Sequence, residues 1–294
     1  MKLNCYYDFP YKRLAWSIPF YFDHFFNKLK GKYNDIDFTP INNHKINIKN
    51  TAPCYMMNHH WMHIQNPSNK KFITISVWDQ LKCAQGDRDY EIFPEKWEQV
   101  ITSSGVHNCK WDYTPFTYIL PHHNSEETIN QIRRPNQERV IPEKLTFRGK
   151  LYAERLSFSR DDRFNIINDH NNHLGYGSFL KEIDQYSINL SLNGAAEICY
   201  RDMEILGLGS ALFREKLKTK FHDPLKPNYH YIAFEAEEDK PKIESMFNRW
   251  MEVKNDIEFI NFVAKNGFDW YNRNVSYENF SRILLDVLQI NKLQ

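Results

Sequence analysis

The stretch NGAAEICYRDMEILGLGSALF, residues 193–213, carries the residues most suited to chemistry. An apolar run, SINLSL, ends in Asn193 and Gly194, and Arg201 then stands near the start of a helix, with Glu204 three residues further on and on the same face. A helix N-terminus favours anions, so an arginine there and the local dipole reinforce each other at a phosphate. Glu204, about one turn along, is placed to accept hydrogen bonds from ribose hydroxyls. Upstream, KLTFRGK sets Arg148 and Gly149 at the end of a strand, the edge at which open α/β sheets bind ligands. A bidentate guanidinium and the backbone N–H groups around Gly149 suit phosphate oxygens. Such a set fits the departure of a diphosphate, where negative charge grows as a glycosidic bond breaks.

These residues need elements to position them, and the C-terminal half supplies an α/β alternation. A strand at Leu145 to Phe147, a turn at Gly149 and a helix from about Tyr152 are followed by the strand SINLSLNG. YRDMEILGLG is a helix closed by glycine, SALF is a short strand, HYIAFE is another strand, and helices run from Lys240 to the end. That order suits parallel strands with helical crossovers. N-terminal to it, KLNCYYDF, NDIDFTPI, KFITISVWD and EQVITSSGVHN read as strands or strand-and-turn units, with a helix over KRLAWSIPFYFDHFFNKLKGKY. PHHNSEETINQIRRPNQERVIPE is polar, proline-punctuated and without apolar periodicity, so it reads as an interdomain linker. The expected organisation is an N-terminal lobe over 1–120, a linker over 121–144 and a C-terminal lobe over 145–294.

Size and composition agree with two lobes. A chain of 294 residues exceeds what one core usually supports, and 41% hydrophobic with 15% aromatic residues is ample for two. Lys plus Arg, 38, balances Asp plus Glu, 37, which argues against a protein that coats nucleic acid or an anionic membrane. No apolar run is long enough to span a bilayer and the first residues lack a signal peptide's apolar stretch, so a cytoplasmic protein is expected. Cys5, Cys54, Cys83, Cys109 and Cys199 show no CxxC spacing and read as reduced, mostly buried thiols.

The strand ending in NG, then R-x-x-E, a short helix and G-S-A-L-F resembles the donor-binding half of GT-B glycosyltransferases. More narrowly it resembles the protein O-glucosyltransferases and fungal capsule xylosyltransferases, with exostosins as more distant relatives. LTFRGKLYAER is similar to that family's F-R-G followed by Arg, PNYHYIAFE to its P-x-x-H-Y-hydrophobic element, and the tail to its closing helices. The resemblance spans roughly 145–288. It implies an α/β, GT-B-like fold of two Rossmann-like lobes facing a central cleft, with the donor in the C-terminal lobe. It further implies that Arg148, Arg155 and Arg201 contact the donor diphosphate and Glu204 the ribose, with a UDP-sugar donor, xylose or glucose among the candidate sugars, a glycan acceptor, and neither metal nor cofactor. Arg155 equally suits pairing with Glu154 or Asp161 on a helix face.

A base for the incoming hydroxyl should come from the opposite lobe, since an inverting transfer proceeds by in-line attack. Asp79, ending KFITISVWD, is the candidate, with capping of a following helix as its alternative role and Asp8 as the next choice. Asp87 and Asp89 in GDRDY stand two apart, as in the DxD motif of metal-dependent GT-A transferases, although their surroundings read as a surface loop. His59 and His63 are four apart, a zinc spacing only on a helix, whereas their neighbourhood reads as irregular or extended; His60 lies between them. Asp161 and Asp162 read as a helix-end charge cluster. Tyr6, Tyr7, Trp16, Trp61 and Trp78 are core aromatics or sugar-stacking surfaces. No GxGxxG follows a strand, which disfavours an NAD enzyme. The rival readings are a GT-A transferase using Asp87 and Asp89, and a noncatalytic carbohydrate-binding protein on a degenerate GT-B fold.

Overall fold

The computed structural model describes residues 125–151, 154–169, 174–193, 199–217, 223–236 and 241–276, together with six strands that precede them. The chain divides into two compact units, one formed by 1–123, 219–222 and 277–294, the other by 124–218 and 223–276. Asp8, His59, His60, Asp79, Asp87, Asp89, Gly194 and the closing YENFSRILLDVLQI lie outside the described residues.

In the first unit β1 (Lys2–Tyr7), β2 (Asp37–Asn42), β3 (Trp61–Gln65), β4 (Phe72–Ser76), β5 (Val100–Thr102) and β6 (Phe116–Thr117) form one sheet of order β2-β1-β3-β4-β5-β6. A Rossmann-like lobe would be parallel throughout, but β3 runs antiparallel to both β1 and β4, so this sheet is mixed. The reason is the connection. Only NPSNKK separates Gln65 from Phe72, and a parallel return needs a dozen residues or more. His63 lies in β3, a strand and not a helix.

The second unit opens with α1 (Ser125–Ile132) and a 3₁₀ turn at Asn136–Glu138. The stretch expected as a linker thus carries structure of its own. It buries Ile129 at 1% exposure and anchors Arg139 in the interior, through hydrogen bonds and not through the apolar periodicity that a sequence reading detects. Next come β7 (Thr146–Gly149), α2 (Glu154–Phe158), β8 (Asn165–Asn168), α3 (Tyr176–Asp184), β9 (Ile188–Leu190), α4 (Tyr200–Leu208), β10 (Ala211–Glu215), β11 (Ile232–Phe234), α5 (Lys242–Val253) and α6 (Ile257–Asn274).

β7 pairs with β8, and β9 with β10 and β10 with β11, all in parallel. β7 and β8 form a two-stranded sheet and β9, β10 and β11 a separate three-stranded one, with β7 lying beside β9. The chain thus steps from β7 to β8 on one side and from β9 through β10 to β11 on the other, so its direction of progression reverses between the two sheets. Ile188–Leu190 and Ala211–Arg214 are buried throughout, as expected of parallel strands covered on both faces.

Phe213 stacks on Phe234 at 5.7 Å and meets the edge of Trp250 at 6.5 Å, joining β10 and β11 to α5. Leu145, Phe147, Ile188, Leu190, Met246, Val263 and Ala264 complete one core cluster. On α4, Gly209 adopts a left-handed conformation, φ 73°, and closes the helix as the glycine-ended sequence predicts. No helix among the described residues is long and apolar enough to cross a membrane.

Candidate functional site

The two sheets adjoin at β7 and β9, and the carboxyl ends of parallel strands are where open α/β folds bind ligands. Gly149 is the last residue of β7, and α4 begins just after the connection leaving β9, so Arg201 in its first turn returns to this edge. A Cβ on Gly149 would lie 3.2 Å from Arg201 Nη1 and 3.1 Å from the Phe147 ring, so the absence of a side chain lets the guanidinium settle against the strand end. Two segments more than 50 residues apart in sequence, both read as phosphate-binding, therefore meet.

The setting of Arg201 is unusual for a half-buried cation. Its guanidinium carbon lies 4.3 Å from the centre of the Phe147 ring and 5.2 Å from that of Phe179. Stacking on aromatic faces offsets part of the charge, yet leaves the in-plane N–H donors unused. No hydrogen bond or ion pair to Arg201 is formed among the described residues. Burial lowers its pKa, opposed by the negative charge of Glu204. Glu204 is itself only 7% exposed. Burial pushes its carboxyl up to about 7, against the opposing influence of Arg201 and the Tyr176 hydroxyl.

The other arginines differ. Arg148 donates through Nε to both Glu182 oxygens at 2.9 and 3.0 Å, and a second contact joins Nη2 to Glu182 at 2.9 Å. Its charge is thereby shared with α3, and the Glu182 hydrogen bonds hold its pKa up. Arg155 donates to the backbone oxygens of Asn193 at 2.8 Å, Leu192 at 2.8 Å and Lys150 at 3.3 Å. Asn193 accepts from Arg214 at 2.9 Å and donates to Glu215 at 2.9 Å. Asp161 pairs with Arg163 and not with Arg155.

Sequence reasoning missed Arg214 and Asp202, a buried pair at 2.6 Å with side chains 2% and 1% exposed. Asp202 Oδ2 also caps α4 by accepting from the Cys199 N–H at 2.7 Å. Its other oxygen, Oδ1, is buried without a hydrogen-bond partner among the described residues, a cost of about 1–3 kcal/mol. An acidic residue two before Glu204 at the third helical position was a capping signal that could have drawn attention to it. Arg214, inside an apolar strand, gave none. Cys199 is half-buried and reduced, and burial raises its pKa, which makes it a poor nucleophile.

The space between Arg148, Glu182, Asn189 and Arg201 is about 10 Å³, room for a water at most. A larger hollow of about 690 Å³ lies at the opposite end of α4, lined by Arg133, Leu208, Gly209, Phe262 and Phe268. That hollow faces the amino ends of the strands, and its one aromatic-stacked cation, Arg133 over Phe268, is exposed to solvent. The unpaired guanidinium and the winding reversal favour the Arg201 end. Among the described residues no three His, Cys, Asp or Glu side chains are grouped to hold a metal.

No protein-family model matches the chain, and no curated protein matches it. Among solved structures, an alpha-glucosyltransferase in complex with UDP-glucose and DNA containing an abasic site aligns with 67% of this chain at 8% identity and a TM-score of 0.40. The alignment spans 66% of that chain, and likeness at this level identifies neither a shared fold nor a shared chemistry.

Proposed function

We propose that the chain is a glycosyltransferase that moves a sugar from a nucleotide-sugar donor, UDP-linked, to a glycan hydroxyl, with the donor bound by the unit formed by 124–218 and 223–276. The observation that carries this reading is Arg201: a half-buried guanidinium without a hydrogen-bond partner among the described residues, held by Phe147 and Phe179 against the end of β7, beside buried Glu204. A cation with open donors at a helix start and a strand end suits a diphosphate.

In this reading Arg201 and the backbone at Gly149 take the diphosphate oxygens and stabilise the charge that develops as the bond to the sugar breaks. Arg148 adds a longer-range positive charge, tempered by Glu182. Glu204 accepts from a ribose hydroxyl, and the Arg201 charge favours its ionised form. Asp79 is the proposed base for the acceptor hydroxyl in a metal-independent, inverting transfer. The resemblance of the R-x-x-E segment and its neighbours to protein O-glucosyltransferases and capsule xylosyltransferases supports the same assignment.

The test is transfer of labelled glucose or xylose from the UDP-sugar to glycan acceptors in excess EDTA, with Arg201→Ala beside wild type. Turnover in EDTA that falls at least a hundredfold in the variant is expected, since one lost transition-state donor costs about 3 kcal/mol. Activity that needs a divalent metal would favour the Asp87 and Asp89 reading. Binding of UDP without turnover would favour a carbohydrate-binding protein.

A further inference from the structure

The stretch that follows β9, 191–193, and the start of α4 are held by the same two side chains. From α2, Arg155 donates to the carbonyl oxygens of Leu192 and Asn193, where β9 ends, and lies 3.5 Å from Cys199 Sγ, where α4 begins. From β10, Arg214 donates through Nη2 to Asn193 Oδ1 at 2.9 Å and through Nη1 to Asp202 Oδ2 at 2.6 Å. Asp202 in turn fixes the Cys199 N–H. Each guanidinium thus bridges the strand end and the helix start from a different element, and both are buried, at 8% and 1% exposure. The set extends outward through Asn193 to Glu215 and on to Lys242 at the start of α5.

Geometry separates this pair from Arg201. A guanidinium has five N–H donors. Arg155 and Arg214 each donate to several oxygens among the described residues, whereas Arg201 directs none at them. A cation that must carry its charge to a ligand should keep donors open. One that must fix a backbone should not.

We infer that Arg155 and Arg214, joined through Asn193, are positioning residues that hold the end of β9 and the first turn of α4 so that Arg201 meets the donor diphosphate. This rests on the nucleotide-sugar reading for its consequence, though not for the clamp itself. It removes Arg155 from the set of diphosphate contacts that the family resemblance implies.

The test uses the full chain as wild type, R155K, R214K and D202N, with R249K as a control at an ion pair on α5. Hydrogen exchange measured by mass spectrometry should show the peptide spanning 190–201 exchanging about tenfold faster in R155K and R214K, with α5 and α6 peptides and R249K unchanged. Calorimetry with UDP and UMP should show both affinities falling about tenfold in these variants while their ratio holds within about twofold, because neither side chain touches the second phosphate. Arg201→Lys should collapse that ratio. Unchanged exchange in R155K and R214K would overturn the clamp, and a UDP-to-UMP ratio that falls in R155K would make Arg155 a phosphate ligand and overturn its positioning role. Should R214K not fold, R155K and D202N carry the same comparison. If wild type binds neither nucleotide, the function reading has failed, and the exchange result alone decides the clamp.

Discussion

The two ends of α4 present arginines in opposite states. At the C-terminal end Arg139 is fully engaged: it donates to Asp184 Oδ1 at 2.5 Å, to Asn136 Oδ1 at 3.0 Å, and to the carbonyl oxygens of Leu208 and Gly209 at 2.5 and 2.8 Å. There the cation meets the negative end of the helix dipole and the last orphan carbonyls, a closed arrangement that serves stability. At the N-terminal end Arg201 sits at the positive end of the same dipole with no acceptor among the described residues. A cation placed against the dipole and left unpaired is costly for folding. It is understandable where an anion arrives to complete it. One helix therefore carries an arginine whose donors are taken up by the fold at one end and, at the other, an arginine with no acceptor among the described residues.

The largest effect should come from breaking the closed end. Arg139→Ala removes the donor to the carbonyls of Leu208 and Gly209 and leaves Asp184 paired with Arg134, and it should lower stability by about 3 kcal/mol in denaturant unfolding. Arg201→Ala should do the reverse, leaving the unfolding midpoint within about 1 kcal/mol of wild type while costing about 3 kcal/mol in transfer rate. If the two variants behave alike in unfolding, the contrast between the helix ends fails.

A pH series sharpens the same comparison. Glu204 has its pKa raised in the folded state, to about 7 from 4.5, so the folded protein holds a proton that the unfolded chain has released across that window. Its contribution is present below pH 4.5 and is lost as pH rises through 7. Glu204→Gln should therefore match wild type in stability near pH 4.5 and exceed it by up to about 3 kcal/mol above pH 8. A stability difference that does not change with pH would contradict the buried carboxyl. The smallest effect belongs to the surface: removing the exposed Lys265–Asp269 pair on α6 should change stability by no more than about 0.5 kcal/mol.

Much of the unit formed by 124–218 and 223–276 was legible in the sequence where signals are local. Helix α4, its glycine stop, and β9, β10 and β11 announce themselves by periodicity and by residues at their ends. Gly149 was placed at a strand's carboxyl end and Arg201 at a helix start, and the structure brings the two together. β8 was missed because NIIN is short, with its end residues exposed. α3 was missed because YGSFLKEID offers nine residues and one turn of apolar spacing. Long-range polar pairings leave no trace in a single sequence. Arg139 finds Asp184 45 residues away, Arg155 finds the carbonyls of Leu192 and Asn193, and Arg214 finds Asp202 across a strand and a helix. The antiparallel β3 became visible only through the shortness of the segment that follows it.

The proposed function stands on Arg201 as an open anion site. Titration of UDP into wild type and Arg201→Ala by calorimetry, with the unfolding temperature of each recorded beforehand, decides it. Saturable binding to wild type is expected, weakened at least tenfold in the variant, with the unfolding temperatures of the two proteins alike. Equal affinity in both proteins, or no binding to wild type, would contradict it.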